Sequence, residues 1–138
     1  MKLKIVGILM LLALVVSIPI ACNADNKTQE GGKSGIINAD NPGEELDISE
    51  YLVEGKINVV DFYSDFCPPC RRVAPVLAEL DKKHEGVVVL KVDINRKGVK
   101  GIDWKSPLAA QYGLRSIPHF KIFDGNGKKI AEGREANM

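Results

Sequence analysis

The chain has few of the residues that crosslink proteins or bind metals. Its 138 residues include three cysteines, two histidines and one tryptophan. Cys22 ends an apolar N-terminal segment, so two cysteines remain for the rest of the chain, too few for a disulfide scaffold. A structural zinc site needs about four ligands, and Cys67 and Cys70 have only His84 and His119 to complete one. These counts disfavour a disulfide-rich or zinc-stabilised protein.

The chain also lacks an excess of charge of either sign. Lys and Arg number 19 and Asp and Glu number 18, which gives a net charge of +1. A protein that binds nucleic acid usually carries a basic surface, so we expect no nucleic-acid partner. We find no internal repeat, and the length suits one domain with its own hydrophobic core.

What the sequence does contain is a strand, a cysteine pair and a helix in direct succession. The run from Asn58 to Ser64 is apolar and β-branched, which predicts a buried strand. Cys67 and Cys70 follow, separated by two prolines. Cys-x-x-Cys in this context indicates thiol–disulfide exchange. Because a helix N-terminus favours a thiolate, we predict that Cys67 attacks and that Cys70, one turn later, resolves the mixed disulfide.

The two thiols leave other interpretations open. They could form an inert bridge in a redox-silent binding module. Together with His119 they could bind copper, as a chaperone for that metal would. His119 follows Pro118 and is expected near the cysteine pair, where it would tune the thiolate or contact substrate. The alternative for His119 is a surface histidine without a role.

Asp61 places a charge in a run that otherwise predicts core. Burial raises the pKa of a carboxyl group, which would suit a proton acceptor for Cys70 during exchange. The alternative is an aspartate at a strand end that points to solvent. Lys91, on the next predicted strand, is either the partner of Asp61 or an edge residue whose ammonium group reaches water.

The rest of the chain alternates between strand and helix patterns. Asp47 and Glu50 form a capping-box pattern that opens a short helix, which Gly55 closes. The elements after the first strand are a helix at 69–85 with the apolar stripe Val73, Val76, Leu77 and Leu80, a strand at 87–93, a helix opened by Ser106 and Pro107, and a hairpin of strands at 117–123 and 128–132. This order predicts an α/β fold with a mixed sheet and a C-terminal hairpin.

The N-terminal residues predict export. Residues 1–21 have a basic start at Lys2 and Lys4 and an apolar run at 5–16, as a signal peptide has. The run is short for a membrane span of about 20 residues. Residues 18–22 resemble the lipobox of bacterial lipoproteins, although Pro19 stands where leucine is preferred. The resemblance implies lipidation of Cys22; cleavage near residue 24 or an uncleaved anchor are the alternatives.

The next segment is polar and predicts a linker. Residues 22–43 are rich in Gly, Asn, Lys, Glu and Ser, which is typical of a flexible tether. Residues 36 and 37 could begin a short edge strand. We therefore predict a signal peptide at 1–21, a tether at 22–43 and a single folded domain at 44–138.

From Val59 to Gly133 the chain resembles the thioredoxin family. The motifs that carry the resemblance are Val60–Tyr63, Cys67–Cys70 in place of Cys-Gly-Pro-Cys, Pro75, Lys91, Ile117–Pro118 and the turn Asp124–Gly127. The resemblance implies a thioredoxin fold, a redox-active disulfide that needs no cofactor, and a cis peptide bond before Pro118. It also implies that Ile117 offers its backbone to a substrate strand.

The chain departs from the family pattern at four places. Pro68, beside Pro69, replaces glycine and stiffens the active-site loop, and Phe66 replaces tryptophan before the first cysteine. The loop 96–105 is longer than in thioredoxin. The sequence stops at Met138, where the family continues, so the final helix that covers the sheet is expected to be missing.

These features predict a thiol–disulfide oxidoreductase of the cell envelope, on the periplasmic side and anchored by lipid. We expect a monomer that reduces disulfides of other proteins, because Ile117 before the proline resembles the residue of reducing thioredoxins. Such a protein needs an electron-donor reductase, which could be membrane-bound. An oxidase or isomerase of envelope disulfides is the alternative.

Overall fold

The computed structural model describes residues 34–133, and the predicted signal peptide, Cys22 and residues 134–138 lie outside them. Its elements in chain order are β1 (Gly35–Ile36), a 3-10 helix (Ile48–Tyr51), β2 (Ile57–Tyr63), α1 (Pro68–Lys83), β3 (Val87–Asp93), α2 (Pro107–Gln111), β4 (His119–Phe123) and β5 (Lys129–Glu132). Within the described range, none of the helices is both long and apolar enough to cross a bilayer.

The five strands form one mixed sheet in the order β1-β3-β2-β4-β5. Strands β1, β3 and β2 are parallel, and β2-β4 and β4-β5 pair antiparallel. The parallel pair β2-β3 is joined through α1, as a crossover connection requires. The predicted α/β fold with a mixed sheet and a C-terminal hairpin is confirmed. Strand β2 lies at the centre of the sheet, and it carries the chain to the cysteine pair.

The sheet buries a different set of side chains on each face, because side chains alternate along a strand. On one face Val60 and Phe62 of β2 pack with residues of β3, the 3-10 helix and α2. On the other face Val59 packs with Leu77 of α1, and Tyr63 packs with the cysteines. Asp61 lies between Val59 and Tyr63 on the same strand, so its side chain is directed toward α1.

Helix α1 contacts the sheet through a narrower face than the sequence predicts. Leu77 is buried and Val73 and Leu80 are half-buried, which follows the spacing i, i+4 and i+7. Val76, about 100° around the helix from Leu77, is 61% exposed. Its place in the predicted apolar stripe was therefore wrong.

The folded domain begins earlier than residue 44. Strand β1 pairs with β3, and Asn38 is buried, with its side chain donating to the Asp93 carbonyl at 2.7 Å and accepting from the Asp93 amide at 3.0 Å. Gly43 has a φ of +77°, and a Cβ there would meet the Arg96 amide nitrogen at 2.5 Å. The predicted tether is corrected over residues 34–43: its polar groups bind the end of β3 instead of water.

The first helix is also shorter than predicted. Asp47 caps it as expected, accepting from the Ser49 amide at 2.9 Å. The helix is a 3-10 turn that ends at Tyr51, and Leu52 is already extended. The predicted extent to about Glu54, with Gly55 closing the helix, was wrong, because Asn58 binds the Val53 amide and carbonyl and thereby holds that segment outside a helix.

Candidate active site

Cys67 and Cys70 form a disulfide at the N-terminus of α1, with their Cα atoms 5.3 Å apart. Cys67 is the N-cap residue, and Pro68 and Pro69 are the first two residues of the helix. Proline suits these positions because the first helical amides have no partner within the helix. The Cys70 amide donates to the Cys67 sulfur at 3.2 Å. A backbone N–H and the positive end of the helix dipole therefore both act on Cys67 Sγ.

Both sulfurs lie beneath an exposed loop. Cys67 and Cys70 are 1% and 3% exposed, whereas Phe66 is 48% exposed and both prolines are exposed. Exposure alone does not separate the two cysteines in the disulfide form. Their positions in the helix do, since Cys67 is the N-cap and Cys70 lies inside the first turn.

The segment facing the disulfide is Ile117–Pro118. Its peptide bond is cis, which confirms the expectation from the family resemblance. The Ile117 carbonyl oxygen lies 3.6 Å from Cys67 Sγ, and the Ile117 side chain packs against Tyr63 and the cysteine pair. The structure therefore brings together the predicted nucleophile and the predicted docking segment.

Asp61 is buried on β2, on the sheet face that also carries Tyr63 and the cysteine pair. It is 1% exposed, and among the described residues its Oδ1 atom has no hydrogen-bond partner. Burial raises the pKa of Asp61 to about 6, and the charge of Lys91 offsets part of that rise. The predicted burial and raised pKa are confirmed, and the proton-acceptor role remains a prediction.

Lys91 is held beside Asp61 by register and by an aromatic ring. Lys91 of β3 is the register partner of Asp61 of β2. Its ammonium nitrogen lies 4.1 Å from the centroid of the Tyr63 ring, a cation–π contact. Burial raises the pKa of Tyr63, and Asp93, Asp65 and Asp61 raise it further, so the ring stays neutral. Sequence analysis missed Tyr63, although an aromatic two residues after Asp61 must share its face of the strand.

His119 makes its contacts away from the sulfurs. Its Nε2 atom lies 3.3 Å from Glu132 Oε1, and its ring lies edge-on to Phe62 with centroids 6.1 Å apart. Phe62 belongs to the core on the sheet face opposite α1. Neither contact involves a sulfur atom, and the role of His119 toward the thiolate or substrate stays a prediction. Within residues 34–133, no three His, Cys, Asp or Glu side chains form a group that could hold a metal ion.

The loop 96–105 borders the site, which the sequence did not reveal. Arg96 binds Asp103 through two hydrogen bonds of 2.7 and 3.1 Å, and Asp103 is 4% exposed. This pairing lowers the pKa of Asp103. Ile102, next to it, packs against Tyr63 and both cysteines. The loop is thus fixed by an ion pair between the buried Asp103 and the partly exposed Arg96, and it touches the redox centre.

The topology of the sheet and the arrangement of the site together identify the class of protein. A central parallel strand leads into a Cys-x-x-Cys pair at a helix N-terminus, and a cis-proline segment faces the first sulfur. This is the arrangement of thioredoxin-fold proteins with a redox-active cysteine pair. The thioredoxin family model matches residues 45–138. The chain belongs to the thioredoxin family.

Individual relatives agree with this assignment. The chain is similar to thioredoxin 1 of Nostoc sp., with 42% identity over 73 residues, 52% of this chain and 60% of that protein. It is 37% identical over 90 residues to a thiol:disulfide interchange protein TxlA homolog of Synechocystis sp., covering 63% of this chain and 46% of that one. Among solved structures, thioredoxin of Malassezia sympodialis aligns with a TM-score of 0.51 and 25% identity over 73% of this chain and 77% of that chain. The chain spans 35 to 60% of the length of its curated relatives.

Proposed function

We propose that the protein is a thiol–disulfide oxidoreductase that reduces disulfide bonds of other proteins. The observation that carries this proposal is the environment of Cys67 Sγ. It accepts the Cys70 amide at 3.2 Å at the N-terminus of α1, and it lies 3.6 Å from the Ile117 carbonyl. A hydrogen-bond donor and a helix dipole stabilise a thiolate relative to a thiol, so reduced Cys67 is the nucleophile at neutral pH.

The reaction proceeds through a mixed disulfide. The Cys67 thiolate attacks one sulfur of the substrate disulfide, and the other substrate sulfur leaves as a thiolate. Cys70 then loses its proton and attacks Cys67 Sγ, which forms the Cys67–Cys70 disulfide and releases the second substrate thiolate. The protein is oxidised by two electrons and the substrate is reduced by two. The electrons come from the cysteine pair, so the reaction needs no cofactor.

Asp61 is the proposed proton acceptor for Cys70. It lies buried on the strand that leads to the cysteines, and its pKa of about 6 keeps a fraction of the carboxyl groups protonated near neutral pH. A base with a pKa near the working pH can both take up a proton and release it again. Asp61 would take the proton from Cys70 when Cys70 attacks the mixed disulfide. It would return the proton when the pair is reduced again, so that each catalytic cycle starts with Cys70 protonated.

We also propose that the protein works in the cell envelope, as a monomer attached by lipid on Cys22. The basic start, the apolar run and the lipobox-like residues 18–22 support this. The reducing direction is supported by Ile117 before the cis-proline, through the family resemblance. A reducing protein in this compartment requires an electron-donor reductase, since the oxidised pair must be reduced after each cycle.

The reduction potential of the Cys67–Cys70 pair tests the direction. For a reductase we expect a value close to about −270 mV, and for an oxidase a value nearer about −120 mV. Equilibration with dithiothreitol or glutathione buffers, read by thiol alkylation, gives the potential. Insulin reduction by wild type, Cys67→Ser and Cys70→Ser tests the activity. An oxidising potential would overturn the reductase assignment, and full insulin reduction by Cys67→Ser would overturn the site.

A further inference from the structure

The loop 96–105 concentrates positive charge beside the cysteine pair. It contains four basic residues and one acidic residue, so it carries a net charge of +3 in a chain whose total is +1. The acidic residue, Asp103, is buried and paired with Arg96. The remaining charges, Lys97, Lys100 and Lys105, are all exposed. In a chain with balanced charge, this loop therefore presents three exposed lysines within ten residues.

The backbone of the loop is held in place. Besides the Arg96–Asp103 pair, the Asn95 side chain donates to the Gly101 carbonyl at 2.5 Å and accepts from the Asp103 amide at 3.2 Å. Ile102 packs against the cysteine cluster. A surface that is already ordered loses little conformational freedom when a partner binds, which favours binding.

A groove of about 360 Å³ runs between this loop and Phe66. Phe66 directly precedes Cys67, so a chain bound at the cysteine can continue into the groove. Its lining includes Asp65, Phe66, Asp93, Lys97, Val99 and Lys100. The carboxylate of Asp93 already accepts the Asn95 amide at 2.9 Å, and burial raises the pKa of Asp93. Asp65 is then the one exposed acid among these lining residues, against two exposed lysines.

Of the three exposed lysines in the loop, two make no contact through their ammonium groups in the described part of the chain. Lys97 donates to the Asp40 carbonyl at 2.6 Å. Within residues 34–133, the side chains of Lys100 and Lys105 make no hydrogen bond or ion pair. Their ammonium groups are available to a partner, and replacing them leaves the contacts of the loop unchanged.

We propose that loop 96–105 and Phe66 form a substrate-binding surface for polypeptides whose disulfide is flanked by an apolar residue and by acidic side chains. The proposal rests on the proposed function. The apolar residue would pack on Phe66 and Val99 in the groove. One acidic side chain would face Lys100, which lines the groove, and a second would face Lys105, which is exposed at the end of the loop. Opposite charges near a binding site raise the association rate, and salt suppresses the effect.

The test uses two synthetic disulfide-bridged peptides that are identical except for Glu or Lys on either side of a leucine next to the cysteine. We expect the reduced wild type to reduce the acidic peptide about tenfold faster at low salt, with the preference shrinking as salt is added. The double variant Lys100→Gln, Lys105→Gln should lose most of the preference. The matched control, Lys82→Gln with Lys128→Gln, removes two exposed lysines distant from the cysteines and should keep it.

A small neutral disulfide, 2,2′-dithiodipyridine, separates this proposal from the proposed function. All variants should reduce it at the wild-type rate, because it carries no charge or peptide chain for the lysines to attract. If wild type reduces the two peptides at equal rates and also reduces 2,2′-dithiodipyridine normally, the proposed substrate-binding surface is wrong. The proposed oxidoreductase function would then still stand. Failure of wild type on all three disulfides would overturn both. Loss of binding to anionic phospholipid vesicles in the double variant, with no peptide preference in wild type, would show instead that the loop faces a membrane.

Discussion

At the scale of single residues, the buried Asp61 makes the stability of the protein depend on pH. Its folded pKa of about 6 lies above the ordinary value of 3.8, so the native state binds this proton more tightly than the unfolded chain does. Stability from this residue is fully present below the ordinary pKa and falls as the pH rises toward and through about 6. The total loss is about 3 kcal/mol, at 1.36 kcal/mol per pKa unit.

Asp61→Asn removes that ionisation and keeps the shape of the side chain. We expect the variant to be more stable than wild type by about 1–3 kcal/mol at pH 8, with the difference disappearing near pH 4. Urea unfolding of the oxidised proteins at several pH values measures it. Asp65→Asn is the control, because Asp65 is exposed. A variant less stable than wild type at pH 8 would mean that the carboxylate is stabilised in the fold.

The same substitution tests the chemistry. Without a base behind the pair, Cys70 should lose its proton slowly, so resolution should slow by about tenfold or more. The first attack by Cys67 should change little, and a mixed disulfide should accumulate. Acid quenching and mass spectrometry during insulin reduction would detect it. An unchanged resolution rate would remove Asp61 from the mechanism.

Cys67 and Cys70 should differ in reactivity once they are reduced. Cys67 receives the Cys70 amide and the helix dipole, so its pKa should be the lower of the two. Iodoacetamide at mildly acidic pH, followed by peptide mapping, should label Cys67 first. Cys67→Ser should leave Cys70 almost unlabelled under those conditions. Faster labelling of Cys70 would reverse the assigned roles.

At the scale of elements, the loop 96–105 depends on the ion pair between the partly exposed Arg96 and the buried Asp103. Asp103→Asn removes the charge that Arg96 faces across 2.7 Å. Because Arg96 is 40% exposed, the expected loss of stability is moderate, about 1–3 kcal/mol. Urea unfolding measures it, with Glu85→Gln as a comparison for loss of an exposed carboxylate. Unchanged stability would indicate that the loop is held by its backbone hydrogen bonds alone.

Elements with a strong local pattern were predictable from the sequence. Strands β2 and β3 are apolar runs, and α2 opens with a serine cap and a proline, so their bounds agree with prediction within a few residues. Strand β1 has two exposed residues, and it exists only because β3 offers a free edge. Asp61 could be found because a charge interrupts an apolar run. The contacts of Lys91 with Tyr63 and of Arg96 with Asp103 depend on register and loop closure, which a linear pattern does not encode.

At the scale of the whole molecule, attachment to a membrane is the prediction that the described residues do not test. Cys22→Ser should leave the precursor uncleaved or release the domain, if lipid on Cys22 is the anchor. Cell fractionation and the mass of the mature protein measure this, and Ser17→Ala in the same segment is a control. Normal processing and membrane association of Cys22→Ser would show that the lipobox interpretation is wrong.

Ser34 marks the end of the domain at which the preceding chain joins it. Ser34 binds Asp81, near the C-terminal end of α1, and accepts the Val89 amide at 3.2 Å. Asp81 lies about 20 Å along the helix from Cys67. Because β1 runs parallel to β3, the chain enters the domain at the end of the sheet opposite the disulfide. An anchor upstream of Ser34 would therefore join the domain at the end of the sheet opposite the disulfide, away from the cysteines that meet substrate.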